Sequence, residues 1–244
     1  YDDVREILMQ FAKFATDGKL PNIIYGEEVG NWDTSDAPLW LIVVTEDYCK
    51  ALGNNEILEV NVNEDRTYLE ALKSIANGYI KGTSNGIKVD TNSKLVYSPS
   101  HFTWMDTNYP AGTPREGYPI EIQALWYAAL KFLASIEQGK KWEELVVKVK
   151  DSINRYFLYE EKDENNDLTG QKWLSDCLHC SPMKPASESV ADDHIRPNQL
   201  FAITLGAVTD FDVSKAVLST TSQLLIPGAI RSLADSQTSF ELPI

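Results

Sequence analysis

Two stretches of this sequence gather the residue types that chemistry needs. One holds Tyr25, Asn31, Trp32, Asp33 and Asp36; the other holds His101, Trp104, Asp106, Arg115 and Glu121. Carboxyl groups give and take protons, and aromatic rings beside them suit a sugar, whose pyranose ring offers an apolar face for stacking and hydroxyls at its edge. Each residue also has a plainer use. A loop Asp commonly closes a turn, Glu121 near a helix start satisfies the helix dipole, and Asp36 before Ala37-Pro38 is a natural N-cap. Trp40, Trp126 and Trp142 sit at helical core spacing and read as packing residues, whereas Trp104 lies in a loop. Spacing alone leaves both uses open.

Other chemistries find less support. Cys177-Leu178-His179-Cys180 resembles half of a zinc site, yet four ligands usually require a second pair, and His194 is the one further candidate. No metal is expected. A redox pair would need a strand before the cysteines and a helix after them, a context that Pro182 and Pro185 oppose. The sequence has neither a Gly-x-Ser-x-Gly turn nor a Gly-rich phosphate loop, and no cofactor is expected.

Composition narrows the class. The 244 residues are 43% hydrophobic, enough for a real core, and carry 22 Lys+Arg against 36 Asp+Glu for a net charge of −14. Such a field repels a phosphate backbone, and the densest basic stretch, Lys140 to Lys150, is interleaved with Glu143 and Glu144, so neither nucleic acid nor an anionic membrane is an expected partner. No apolar run reaches the roughly 20 residues of a membrane helix. Three cysteines argue against a disulfide framework and fit a reducing cytosol, so a cytoplasmic location is expected. The chain opens at Tyr1 inside a helical pattern, which reads as part of a longer polypeptide.

The elements that must position the candidate residues are mostly helical. Val4, Ile7, Leu8, Phe11 and Ala15 recur at helical spacing until Asp17-Gly18. Leu39 to Leu52 is apolar nearly all round, and a helix of that kind must be enclosed by others. A third helix is expected from about Asp65 to Tyr79. Gly82 to Tyr97 reads as a small hairpin turning at Thr91-Asn92, and a long loop, Ser98 to Gly117, follows. Pro119 opens another largely apolar helix to about Gln138. Its partner beyond Gly139 carries Trp142, Leu145, Val146, Val149, Ile153 and Tyr156 on one side. Residues 157 to 193 read as an irregular polar excursion, and helices resume at about Pro197 to Leu205 and Val213 to Leu225. Enclosed and one-sided helices in one chain predict an inner and an outer helical layer, with the loops before the inner helices as natural homes for function.

Five blocks carry a family resemblance: Asp33-Thr34-Ser35-Asp36-Ala37-Pro38-Leu39-Trp40; His101-Phe102-Thr103-Trp104-Met105-Asp106; Thr113-Pro114-Arg115-Glu116-Gly117-Tyr118-Pro119-Ile120-Glu121-Ile122-Gln123-Ala124-Leu125-Trp126-Tyr127; Ile195-Arg196-Pro197-Asn198-Gln199-Leu200-Phe201-Ala202; and Pro227-Gly228-Ala229-Ile230-Arg231-Ser232-Leu233. Together and in this order they resemble the C-terminal amylo-α-1,6-glucosidase domain of glycogen debranching enzymes, in its prokaryotic form. The resemblance implies an all-α fold, a partial six-hairpin (α/α) toroid with small β-hairpin insertions. Residues 1–244 would be an internal segment of one catalytic domain, lacking the first hairpin block and the closing hairpins. It also implies a glycoside hydrolase that cleaves α-1,6 branch linkages of glycogen or other branched malto-oligosaccharides. Asp106 would be the general acid, its partner carboxylate would lie outside this chain, and the isolated segment would be inactive. Such enzymes pair a protonated carboxyl, which feeds the departing oxygen, with a carboxylate that activates water. Asp36, Trp104, Arg115, Glu121, Arg196 and Asn198 are expected to line the sugar pocket. Arg115 could instead orient a carboxylate by a bidentate pair, and Arg196 and Asn198 could cap a helix. Thr107-Asn108 departs from the Ala-Lys common in the family. A glucoamylase-like or trehalase-like hydrolase and a non-catalytic α-glucan-binding module are the competing readings.

Overall fold

The computed structural model describes residues 1–106, 114–137, 139–182 and 184–235. Among them are seven α-helices: α1 (Asp2–Phe14), α2 (Ala37–Leu52), α3 (Tyr68–Lys81), α4 (Ile120–Ile136), α5 (Lys140–Tyr156), α6 (Leu200–Thr204) and α7 (Phe211–Thr221). Local chemistry sets their ends. Asp36 caps α2 by accepting the Ala37 N–H at 2.9 Å, and Gly53 ends it in the left-handed region at φ 69°. A reciprocal capping box between Thr67 and Glu70 starts α3. That start is later than the periodicity suggests, because residues 61–67 form a hairpin of Asn61–Asn63 with Arg66–Thr67.

Burial follows the apolar patterns. Every α4 residue from Ile120 to Leu130 is buried, because α2, α3, α5 and α6 all pack against this helix. A helix enclosed in this way has no use for a polar face. By contrast α5 buries Trp142, Val149 and Ile153 on one side, and α1 buries Leu8 and Ala12 while Val4 and Ile7 stay exposed. The expected hairpin after α3 is present, pairing Lys88–Val89 with Val96–Tyr97. Helices also stand at the resumed positions, a 3₁₀ turn at Pro197–Gln199 running into α6. The Thr107-Asn108 departure and the expected end of α4 at Gln138 lie outside the described residues.

The all-α toroid is overturned. Helix takes about 47% of the chain and strand 19%, in several small antiparallel sheets. The stretch 157–193, read as an irregular excursion, is where the reading failed most. Leu158–Lys162 pairs with Leu168–Leu174, and Tyr159 lies opposite Trp173 in that register. Their rings stack at 4.6 Å, while Asp163 closes the turn by accepting the N–H groups of Asn165 and Asp167 at 2.8 and 2.9 Å. One face of this hairpin is solvated, so its polar residues look like loop to a search for helical periodicity. Next, Cys177–His179 forms the middle strand of a three-stranded sheet between Gly117–Pro119 and Val190–Ala191. The outer strand Gly117–Pro119 runs directly into α4, so this sheet fixes the N-terminus of the buried helix.

Gly117 makes that junction possible. Its φ is +128°, and a Cβ there would lie 2.2 Å from the Leu178 carbonyl oxygen and 2.9 Å from the Cys180 nitrogen. Both obstacles are backbone. Gly117→Ala is therefore predicted to destabilise the fold by about 3 kcal/mol or more, measured by urea denaturation. A loss under about 1 kcal/mol, the usual size of a Gly-to-Ala backbone effect, would show that the junction can yield.

Candidate active site

Three loops converge at the N-terminal ends of α2, α4 and the Pro197 turn. The Ser35 N–H donates to the Phe102 carbonyl at 2.6 Å, and the Ser35 and Ser98 hydroxyls meet at 2.8 Å. The Tyr79 hydroxyl, from α3, donates to the Ser35 carbonyl at 2.8 Å. These bonds tie the Asp36 loop to the His101–Asp106 segment. The same segment is tied to the Pro197 turn by the Trp104 Nε1–H, which donates to Asn198 Oδ1 at 3.1 Å.

Beneath the loops lies a buried ionic cluster. Arg115, Glu121 and Asp176 are each 1–2% exposed. The guanidinium grips Glu121 with both Nη atoms, Nη2 to Oε2 at 2.6 Å. It grips Asp176 from Nε to Oδ2 at 2.7 Å and from Nη2 to Oδ1 at 3.1 Å, and Nη1 also donates to Thr103 Oγ1 at 3.1 Å. All three guanidinium nitrogens are thus engaged, in the fork geometry that Arg alone provides. One cation faces two carboxylates, and Arg196 adds a second positive charge, its Nε 3.5 Å from Asp176 Oδ2. Each of these buried charges thus has a partner of opposite sign. Burial pushes the Glu121 carboxyl above its usual range while Arg115 pulls the other way; the Arg115 guanidinium is held well above its ordinary value by Asp176 and Glu121, against the opposing cost of burial.

The expected site residues divide by depth. Asp106 is exposed, and Trp104 is 53% exposed. Asp36 is half-buried, with Oδ1 taking the Thr34 hydroxyl at 2.6 Å as well as the cap N–H. Arg115, Glu121, Arg196 and Asn198 are buried. Arg115 makes the bidentate carboxylate pair that was one of its two readings. Arg196 donates to the Ser232 carbonyl at 3.2 Å, bringing the Pro227–Leu233 block to the cluster. Among the aromatic residues, Trp126 is fully buried, its Nε1–H donating to the Lys94 carbonyl at 3.1 Å, and Trp40 packs edge-on against Phe201. Tyr25 is exposed at a hairpin end, and Trp32 lies under the Lys19 ammonium.

Sequence reasoning missed Asp176, Thr103 and Asp192. Asp192 Oδ1 accepts the Asp176 N–H at 2.9 Å, and its Oδ2 lies 2.9 Å from His179 Nε2. The one available signal was an acid set among Trp173, Leu174, Cys177 and Leu178, where a solvated Asp would be out of place. The Cys177-His179-Cys180 trio lies on and just after the middle strand of the sheet, where burial drives the Cys177 thiol well above its usual range and Cys180 up to about 11. Among the described residues no three His, Cys, Asp or Glu side chains are placed to hold a metal ion.

Chemically, this segment carries an exposed Asp106 two residues after an exposed Trp104 whose indole N–H is bound inward to Asn198. Such a pair can stack an apolar ring face and exchange a proton at its edge. Compared with known families, residues 1–242 match the amylo-alpha-1,6-glucosidase family.

Two predictions follow from the cluster. Arg115→Lys supplies a cation but no fork, leaving Glu121 or Asp176 short of partners; a loss of about 3–5 kcal/mol is expected by chemical denaturation, and an unchanged midpoint would show that the cluster does not hold the fold. His194, 5% exposed, has its imidazole held below the ordinary value by burial, with Asp192 partly opposing. At a pH between its two values the unfolded imidazole binds a proton that the folded one refuses. Its contribution is complete above the unfolded value of about 6.5 and lost as pH falls through the folded one. The raised Glu121 and Asp192 carboxyls act with the opposite sign, so the imidazole is isolated by difference, comparing His194→Gln with the parent from about pH 7.5 to 6. His194→Gln should flatten the stability slope there, and parallel curves for the two proteins would contradict this.

Proposed function

The chain belongs to the amylo-alpha-1,6-glucosidase family, and from that premise we propose that it forms part of a glycosidase that hydrolyses α-1,6-linked glucose at branch points of glycogen and related α-glucans. The family carries a glycoside hydrolase-type function and implies binding of an α-glucan. The finer assignment of bond and roles is our own reading. The observation that carries it is the pairing of an exposed Asp106 with an exposed Trp104 on one anchored segment.

In this reading Asp106 gives a proton to the bridging oxygen as the glycosidic bond breaks. A second carboxylate, which we place outside residues 1–244, activates water from the opposite face of the sugar. A separation of roughly 6.5–9.5 Å between the two leaves room for that water and inverts the anomeric configuration. Trp104 stacks on a glucose ring and Asp36 accepts a sugar hydroxyl. Arg115, Glu121 and Arg196 serve the pocket from beneath, fixing the segment that carries the acid, while Asn198 holds the Trp104 ring; a proton donor displaced by about 1 Å loses much of its effect. All cysteines of the chain are free, which suits the reducing cytosol where glycogen is stored, and we place the protein there.

In the complete enzyme, Asp106→Asn is expected to lower glucose release from a branched limit dextrin by about 10²–10⁴-fold while binding of the dextrin by calorimetry changes little. Near-normal turnover would remove Asp106 from the acid role. A substrate panel separates the bond types: preference for α-1,4 or α,α-1,1 linkages would replace the debranching assignment with a glucoamylase-like or trehalase-like one.

A further inference from the structure

We propose that Asp176 is a positioning residue that acts through the Asn198 amide to hold the Trp104 indole in one orientation. The inference rests on the reading of Trp104 as a sugar platform and names what aims it.

Asp176 is 1% exposed. Its Oδ1 accepts the Asn198 Nδ2–H at 2.7 Å, and Asn198 Oδ1 accepts the Trp104 Nε1–H at 3.1 Å. An amide can turn over about its last bond, exchanging its oxygen and nitrogen ends. Here both neighbours forbid the exchange: an ionised carboxylate only accepts hydrogen bonds and an indole N–H only donates. Turning the amide would set oxygen against oxygen and N–H against N–H. The buried charge thereby decides which end of Asn198 faces the ring, two hydrogen bonds away. Asp176 is itself immobile, because Arg115 holds both of its carboxylate oxygens.

The backbone flanking Trp104 is anchored to the same guanidinium. Thr103 Oγ1 accepts from Arg115 Nη1 at 3.1 Å and from the Met105 N–H at 3.2 Å. Asn198 Nδ2 also lies 3.5 Å from Met105 Sδ. An exposed indole held at its nitrogen and at both neighbouring residues is a preorganised surface, which saves ordering cost when a ring stacks on it.

The test compares steady-state kinetics of the complete enzyme on a branched malto-oligosaccharide. Substitutions at Asn198 leave the Arg115 pairs intact, which avoids the folding risk of altering Asp176. Asn198→Ala is expected to raise KM about tenfold, the scale of one lost hydrogen bond to a charged network, with kcat changed less than about threefold. Trp104→Phe keeps a ring and removes the N–H; in that background Asn198→Ala should change KM by less than about twofold, since the route is already cut. Asn198→Asp retains an acceptor for the indole but sets carboxylate against carboxylate, and is expected to raise KM as much as Asn198→Ala does. Equal effects of Asn198→Ala in the Trp and Phe backgrounds, or a normal KM for Asn198→Asp, would overturn the proposal. Trp104→Ala reports separately on the underlying reading: if it leaves KM unchanged, the ring is no sugar platform, whereas a large loss there with silent Asn198 variants sinks only the positioning role.

Discussion

A single guanidinium set between two carboxylates in a dry interior is the constraint on which this structure turns. Burying one charge costs several kcal/mol unless partners replace its water, and Arg115 finds Glu121 at the start of α4 and Asp176 at the edge of a sheet. Each comes from a different part of the chain. The pairing is thus formed only when α4, the three-stranded sheet and the loop carrying Thr103 have docked together. Arg196 closes the balance from the Pro197 turn. Replacing a whole buried ionic cluster by well-packed apolar side chains often costs little stability. Its use lies in specificity of arrangement, since hydrogen bonds in a fork fix orientation where apolar contacts would let the parts slide.

That arrangement reaches the surface through short links. From Arg115 one bond leads to Thr103 and from Thr103 another to the Met105 N–H. From Asp176 the path runs through Asn198 to the Trp104 ring. The segment that carries the exposed acid is therefore a loop whose conformation is set from below by charge, not by its own sequence. His101 and Arg115 both adopt positive φ, at 60° and 50°, and the His101 N–H donates to the Pro114 carbonyl at 2.9 Å. Backbone strain of this kind persists where surrounding contacts over-determine it.

Much of this was legible in the residues. The enclosed character of α4 followed from an apolar run without a polar face, and the caps at Asp36 and Gly53 followed from residue type. The Gly82–Tyr97 hairpin was visible in its alternation. Of the residues that the blocks singled out, Trp104, Arg115, Glu121, Arg196 and Asn198 share one hydrogen-bonded and ion-paired cluster around Asp176, while Asp36 bonds within its own loop and cap and Asp106 is exposed. The small sheets were not legible. Strands such as Cys177–His179 are too short for a period to show, and the 158–174 hairpin hides its apolar side among Glu, Lys and Asp. Asp176 was faint for a different reason. Its partner stands 61 positions away in sequence, and its apolar neighbours signal burial without naming the cation that pairs with it.

These links connect a buried electrostatic requirement to the exposed segment that carries Trp104 and Asp106. The most direct measurement is a crystal structure of the complete enzyme, with Asp106→Asn to halt turnover, bound to a branched malto-oligosaccharide. The account predicts a glucose ring stacked on Trp104, with the residue 106 side chain within hydrogen-bond reach of the α-1,6 bridging oxygen, roughly 2.6–3.2 Å. A branch point bound at another face of the protein, with Trp104 and residue 106 still open to solvent, would contradict it.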